Sequence, residues 1–274
     1  MLKPGGASPS GQQCTVLSYF RKRRRGRVLG DAARAGVALA LSPKLAAWHG
    51  LSQSERDALC DLTLVMIVEK RWEGCDGLVL TEHMRMIIAA QAALLLVGFA
   101  IDPLVDPVYP NVREVLVYPT GYFATTQRRD ALGVVHEGSP NLGEAWYSGP
   151  VIVSWADAIH GVADGDDGRN LVLHEFAHKL DMLDGVVDGT PPLGGAAEYR
   201  TWRNVMNDAF NRLRMARPGA SVLVLDRYGA TNPAEFFAVA TEAFFERSRE
   251  LRQREPALYE TLKMYFRQDP AARL

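Results

Sequence analysis

His174-Glu175-Phe176-Ala177-His178 sets two imidazoles four residues apart, with a carboxylate next to the first. On a helix of about 3.6 residues per turn, positions i and i+4 share one face. Both rings can then reach one ion at roughly 2.0–2.1 Å per Zn–N bond. Glu175 can flank a water on that ion and take its proton as a general base. The pattern is H-E-x-x-H, the spacing of zinc-dependent hydrolytic chemistry when it lies on a helix.

The surroundings favour that helix. Leu171, Val172, Leu173, Phe176, Ala177 and Leu180 enclose the polar trio, so the helix is apolar over most of its girth and belongs in the interior. Buried polar groups without partners are costly, and a metal supplies one. One zinc per chain is expected.

A catalytic zinc usually takes three protein ligands and leaves a position for water. No third histidine follows in the H-x-x-G-x-x-H manner; Asp181 and Asp184 stand at those offsets. A carboxylate must therefore complete the site. Glu235 is the best candidate, near the start of a heavily aromatic and apolar helix where a buried carboxylate needs a cation. Glu242, seven residues on, shares its face. It is an alternative ligand, or an acceptor for a histidine N–H behind the metal. Asp181 suits a supporting role or a surface salt bridge.

The elements that must position these residues follow from periodicity and capping. Ser52 with Glu55 forms a capping-box pattern ahead of a helix reaching about Lys70. Thr81 or Glu82 opens a second helix through Gly98. Val112–Tyr118 and Val151–Trp155 read as strands, with residues 119–149 loop-rich between them. Asp164 to Gly168 is an acidic loop whose spacing fails the EF-hand pattern. It leads instead into the metal helix, Asn170 to Leu183, with Asn170 as a cap. Tyr199 to Leu213 is amphipathic, and Val222–Leu225 reads as a short strand. Thr231-Asn232-Pro233 starts the helix carrying Glu235, with a polar cap and Pro at the first position, and a last helix spans Pro256 to Arg267. Few short strands among many helices make the fold class α+β, with a small sheet on the H-E-x-x-H helix and further helices at both ends.

Composition narrows the function classes. The chain has 274 residues, 47% apolar and 23% charged, with a net charge of −1. That is an ordinary globular balance without a nucleic-acid footprint. Cys14, Cys60 and Cys75 form no C-x-x-C pair or disulfide framework and suit a reducing compartment. No secretory signal pattern is visible, and the apolar stretch Met86 to Ile101 is short for a membrane span of roughly 20 residues. A cytoplasmic protein is expected, with no membrane contact. Residues 1–40 read as a disordered tail, with the basic run Arg21 to Arg27 a solvated arm, and residues 41–274 as a single domain.

Three separated segments resemble one known family: HEFAHKLDMLDG (174–185), DRYGATNPAEFFAVATEAFF (226–245) and PALYETLKMYFRQDP (256–270). EVLVYP (114–119) and GPVIVSW (149–155) fit as well. They resemble the Mlc titration factor A family of zinc metallopeptidases, over about Leu51 to the C-terminus. The resemblance implies a zincin-like fold, zinc ligands at His174, His178 and Glu235, the catalytic glutamate at Glu175 and a motif tyrosine at Tyr228. It implies a peptide substrate, through aminopeptidase-type or short-peptide hydrolysis. Tyr228 would donate a hydrogen bond to the developing oxyanion, and the strand Val151–Trp155 would pair with an extended substrate. The alternative is a protein that sequesters a transcriptional repressor, with peptidase activity incidental.

Overall fold

The computed structural model describes residues 21–120, 149–163, 165–216 and 224–273. Helices α1 (Asp31–Leu41), α2 (Gln53–Glu69) and α3 (Glu82–Leu94) interleave with strands β1 (Arg71–Gly74) and β2 (Glu114–Tyr118). Strand β3 (Val151–Ser154) runs directly into α4 (Trp155–Ala163), and α5 (Leu171–Asp181) follows. The rest is helical: α6 (Ala196–Met215), α7 (Pro233–Glu246), α8 (Ser248–Arg254) and α9 (Pro256–Phe266). The class is α+β, with a three-stranded parallel sheet in the order β1-β2-β3.

Local chemistry explains the helix starts. Ser52 and Glu55 form the expected capping box, with Glu55 N–H donating to Ser52 Oγ and Ser52 N–H to Glu55 Oε2. Asn170 caps α5 by accepting the Leu173 N–H at 3.0 Å. Asn232 caps α7 through the N–H of Glu235 itself, at 3.0 Å, with Pro233 at the first helical position.

The sheet supplies the wall behind α5. Val115 pairs with Val151 and Val117 with Val153, and all four are buried. Helix α5 packs against both β3 and α7. The far side of α7 is held by aromatic packing. Phe236 meets Phe210, Phe237 meets Trp202 and Phe244 stacks on Phe266, at centroid distances of 5.7, 5.4 and 5.6 Å. Each such ring stabilises by about 1.5–3 kcal/mol when fully buried, so α7 presents its polar face from a rigid back.

Several expectations are corrected. Residues 21–25 are helical and Arg25 is fully buried, so neither a tail disordered through residue 40 nor a wholly solvated basic arm fits. Arg25 Nε and Nη2 each donate to Glu69 at 2.8 Å, and Nη1 donates to the carbonyls of Pro103 and Asp106 at 2.9 and 2.7 Å. A guanidinium so satisfied can be buried, and local composition cannot reveal a partner 44 residues away. Residues 1–20, and Cys14 with them, lie outside the described residues, as does most of the expected loop 119–149. Of the expected strand Val222–Leu225, Val224 and Leu225 form a buried bend instead; the first two positions are not described.

Strand β1 and helix α4 escaped the periodicity. RWEG is four residues long and mostly polar. Helix α4 begins where β3 ends and contains Gly161, which a β-carbon would drive to 2.7 Å from the Asn170 side chain. Gln91, the polar residue inside the apolar stretch, is buried and satisfied. It donates to the carbonyls of Ile87 and Ala158 and accepts from Asn170 Nδ2. No described helix is long and apolar enough to cross a membrane.

Candidate metal centre

Three side-chain atoms converge between α5 and α7. His174 Nε2 lies 3.0 Å from Glu235 Oε2 and 3.2 Å from His178 Nε2, and His178 Nε2 lies 3.4 Å from Glu235 Oε2. Ligands bonded to zinc at about 2.0–2.1 Å with tetrahedral angles stand about 3.3 Å apart. The triangle is thus the size of a tetrahedral face around one ion. His174, His178 and Glu235 are the one such group of metal-capable side chains among the described residues.

The second nitrogen of His174 is also held. His174 Nδ1 is 2.7 Å from Glu242 Oε1, and a carboxylate can only accept there, so Nδ1 carries the hydrogen. In neutral His174 the lone pair then sits on Nε2 and points into the triangle. Burial pushes the His174 pKa down, but hydrogen bonds to Glu235 and Glu242 outweigh it and raise it to about 10. Burial likewise acts to raise Glu235, and the hydrogen bonds from His174 and His178 overcome it, holding Glu235 at about 2. His178 Nδ1 is buried and has no partner among the described residues.

Glu175 lies beside the triangle without belonging to it. Burial raises its pKa, and the neighbouring His174 and His178 partly offset the rise. Tyr228, on the short 3-10 turn Arg227–Ala230, has its ring centroid 6.0 Å from that of His174. The residue is 55% exposed and lines the cavity. Burial, then the charges of Glu235 and Glu175, keep its hydroxyl protonated and able to donate.

His174, Glu175 and Tyr228 line a cavity of about 550 Å³, together with Asn170 and Glu242. Asp157, His160 and Arg169 line it too, and the sequence reading did not single them out. Asp157 and His160 sit on α4, an element that periodicity did not reveal. Arg169 is held by Asp226 at 2.8 Å across 57 residues of chain. Glu242, left open above as a ligand, lies behind His174 on the side away from the triangle. Asp181 is fully buried and accepts the Gly189 N–H, which removes the surface salt bridge from its possible roles.

Comparison with known proteins points to metallopeptidases. The profile of the glucose-regulated metallo-peptidase M90 family matches residues 20–267. An uncharacterized protein of Synechocystis is 34% identical over 232 residues, covering 84% of this chain and 82% of the relative. The Mlc titration factor A proteins of Yersinia pestis and Yersinia pseudotuberculosis are 34% identical over 245 residues, covering 84% of this chain and 87% of theirs. The family match begins at residue 20 and takes in Arg25, whose buried ion pair anchors the segment ahead of α1. A metal ion and a peptide substrate are what that match implies, and on it the chain belongs to the glucose-regulated metallo-peptidase M90 family.

Proposed function

We propose that the chain is a zinc-dependent peptidase of zincin type, acting in the cytoplasm on short peptides or amino-terminal residues. The observation that carries this reading is the triangle of His174, His178 and Glu235, whose His174 also lines a cavity shared with Glu175 and Tyr228. Zinc bound there would lower the pKa of a coordinated water toward about 7 and polarise the scissile carbonyl.

The residues divide the remaining work. Glu175 accepts the proton of the attacking water and returns it to the leaving amine. Its burial raises its basicity, which suits a group that must first gain and then release a proton near neutral pH. Tyr228 donates its hydroxyl hydrogen to the developing oxyanion. Its exposure lets it swing without disturbing the core. Among the described residues β3 pairs only with β2, and its other edge would take an extended peptide by strand addition. The free thiols Cys60 and Cys75 agree with a reducing compartment.

A second reading is favoured by the relatives' name, Mlc titration factor A. On it, the chain binds a transcriptional repressor and peptidase activity is incidental. Metal analysis of the purified protein, joined to a panel of chromogenic aminoacyl and peptide substrates, tests the first reading. Zinc near one per chain with chelator-sensitive hydrolysis is expected. A zinc-loaded protein inert on every substrate would leave the second reading in its place.

A further inference from the structure

The clamp on His174 has a second jaw behind the ligand triangle. Glu242 Oε1 accepts the imidazole Nδ1–H at 2.7 Å. Its other oxygen, Oε2, accepts the backbone N–H of Asn170 at 2.6 Å. Asn170 is the cap of α5, the helix that carries His174. One carboxylate on α7 thus holds both the ring and the start of the helix on which that ring is mounted.

The network continues inward. Asn170 Nδ2 donates to Gln91 Oε1 at 2.9 Å, to Glu246 Oε1 at 3.0 Å and to the Gly161 carbonyl at 3.2 Å. Gln91 belongs to α3, Gly161 to α4 and Glu246 to α7. Asn170, Gln91, Glu242 and Glu246 are all buried. Within this network both oxygens of Glu242 and the amide groups of Asn170 and Gln91 have partners, so a change at Glu242 is felt at the cap of α5.

We propose that Glu242 is a positioning residue for the metal centre, fixing the tautomer and plane of His174 so that Nε2 is aimed at the ion. The proposal rests on the reading of His174 as a ligand. A metal-bound imidazole characteristically donates its second N–H to such an acceptor, and losing that acceptor costs about 10–100-fold in metal affinity. Glutamine cannot replace Glu242. The site needs two acceptors, one for His174 Nδ1–H and one for Asn170 N–H, and an amide offers one acceptor and one donor group.

The test measures zinc affinity by competition with a chromogenic chelator, on the full chain at one pH. Wild type, Glu242→Gln and His174→Ala are compared, and the melting of each zinc-free protein reports its fold. Glu242→Gln is expected to bind zinc about 10–100-fold more weakly than wild type while its zinc-free form still melts cooperatively. Wild-type affinity in Glu242→Gln, with zinc lost in His174→Ala, overturns the positioning role and leaves the metal centre standing. No zinc uptake by wild type, or uptake unchanged in His174→Ala, overturns the metal reading and this proposal with it. Should Glu242→Gln fail to fold, the zinc-loaded wild type decides. In ¹⁵N-histidine spectra the His174 Nδ1 proton should exchange slowly with water, and fast exchange would overturn the role.

Discussion

Gly189 lies so close to Pro233 that a β-carbon on the glycine would stand 2.3 Å from the proline carbonyl oxygen. Gly189 also has φ +78, in the left-handed region that favours glycine. Its N–H donates to the buried Asp181 Oδ2 at 2.9 Å and its carbonyl accepts from Trp202 Nε1 at 3.0 Å. The loop after α5 is thus pinned against the first turn of α7, two residues before Glu235. Gly189→Ala is expected to destabilise the fold by about 1–3 kcal/mol through strain at φ > 0 and the clash. Because the displaced backbone carries Glu235, zinc affinity should fall too. Chemical denaturation and chelator competition on one preparation check both.

Glu235→Ala removes one corner of the triangle and should lose zinc or hold it weakly. Zinc affinity of the wild type should fall in acid, because protons compete for the same histidine and carboxylate atoms. Metal analysis after dialysis at several pH values reads both effects. Full zinc retention in Glu235→Ala would show that Glu235 is not the third ligand.

Glu175→Gln separates chemistry from metal binding. Gln is nearly isosteric with Glu but takes up no proton near neutral pH, and Glu175 is not a corner of the triangle. Zinc and fold should be retained while hydrolysis drops by about 10²–10⁴-fold, the usual contribution of a general acid–base. Undiminished hydrolysis by the zinc-loaded variant would exclude Glu175 as the base. Binding of a repressor partner, if the chain has one, should survive.

Glu246 couples the centre's surroundings to pH. Burial raises its pKa; the hydrogen bond from Asn170 offsets this only in part, the charges of Asp167 and Glu242 add to it, and the value reaches about 8. Its Oε2 is buried with no partner among the described residues. Between the ordinary glutamate pKa of 4.5 and about 8, the native state holds a proton that the unfolded chain has released. Stability from this group is therefore complete below about 4.5 and lost as pH rises to about 8. Glu246→Gln keeps an acceptor for Asn170 and cannot ionise. It should match wild type near pH 4.5 and exceed it above pH 8, by on the order of 1–3 kcal/mol. Denaturant melts at about pH 5, 7 and 9 would show the two curves diverging; parallel curves would mean Glu246 is ionised throughout.

What was legible in the sequence was local. Four-residue spacing placed His174 and His178 on one face, and Asn170, Ser52 and Asn232 announced their helices because a cap bonds within its own first turn. Seven-residue spacing put Glu235 and Glu242 on one face of α7 as well. Spacing alone could not say which would face which nitrogen of His174, because that depends on how α5 and α7 cross. The tertiary structure decided that: Glu235 reaches His174 Nε2 and Glu242 reaches Nδ1, on opposite sides of one ring. Arg25 with Glu69, and Arg169 with Asp226, were equally out of reach, since each pair is joined across the fold by contacts that leave no periodic trace. The short strand β1 and the helix α4 are likewise set by their neighbours, the sheet edge and Asn170. Local hydrogen bonds and side-chain period are written in adjacent residues, whereas the choice between two chemically identical carboxylates is made only when separate helices pack.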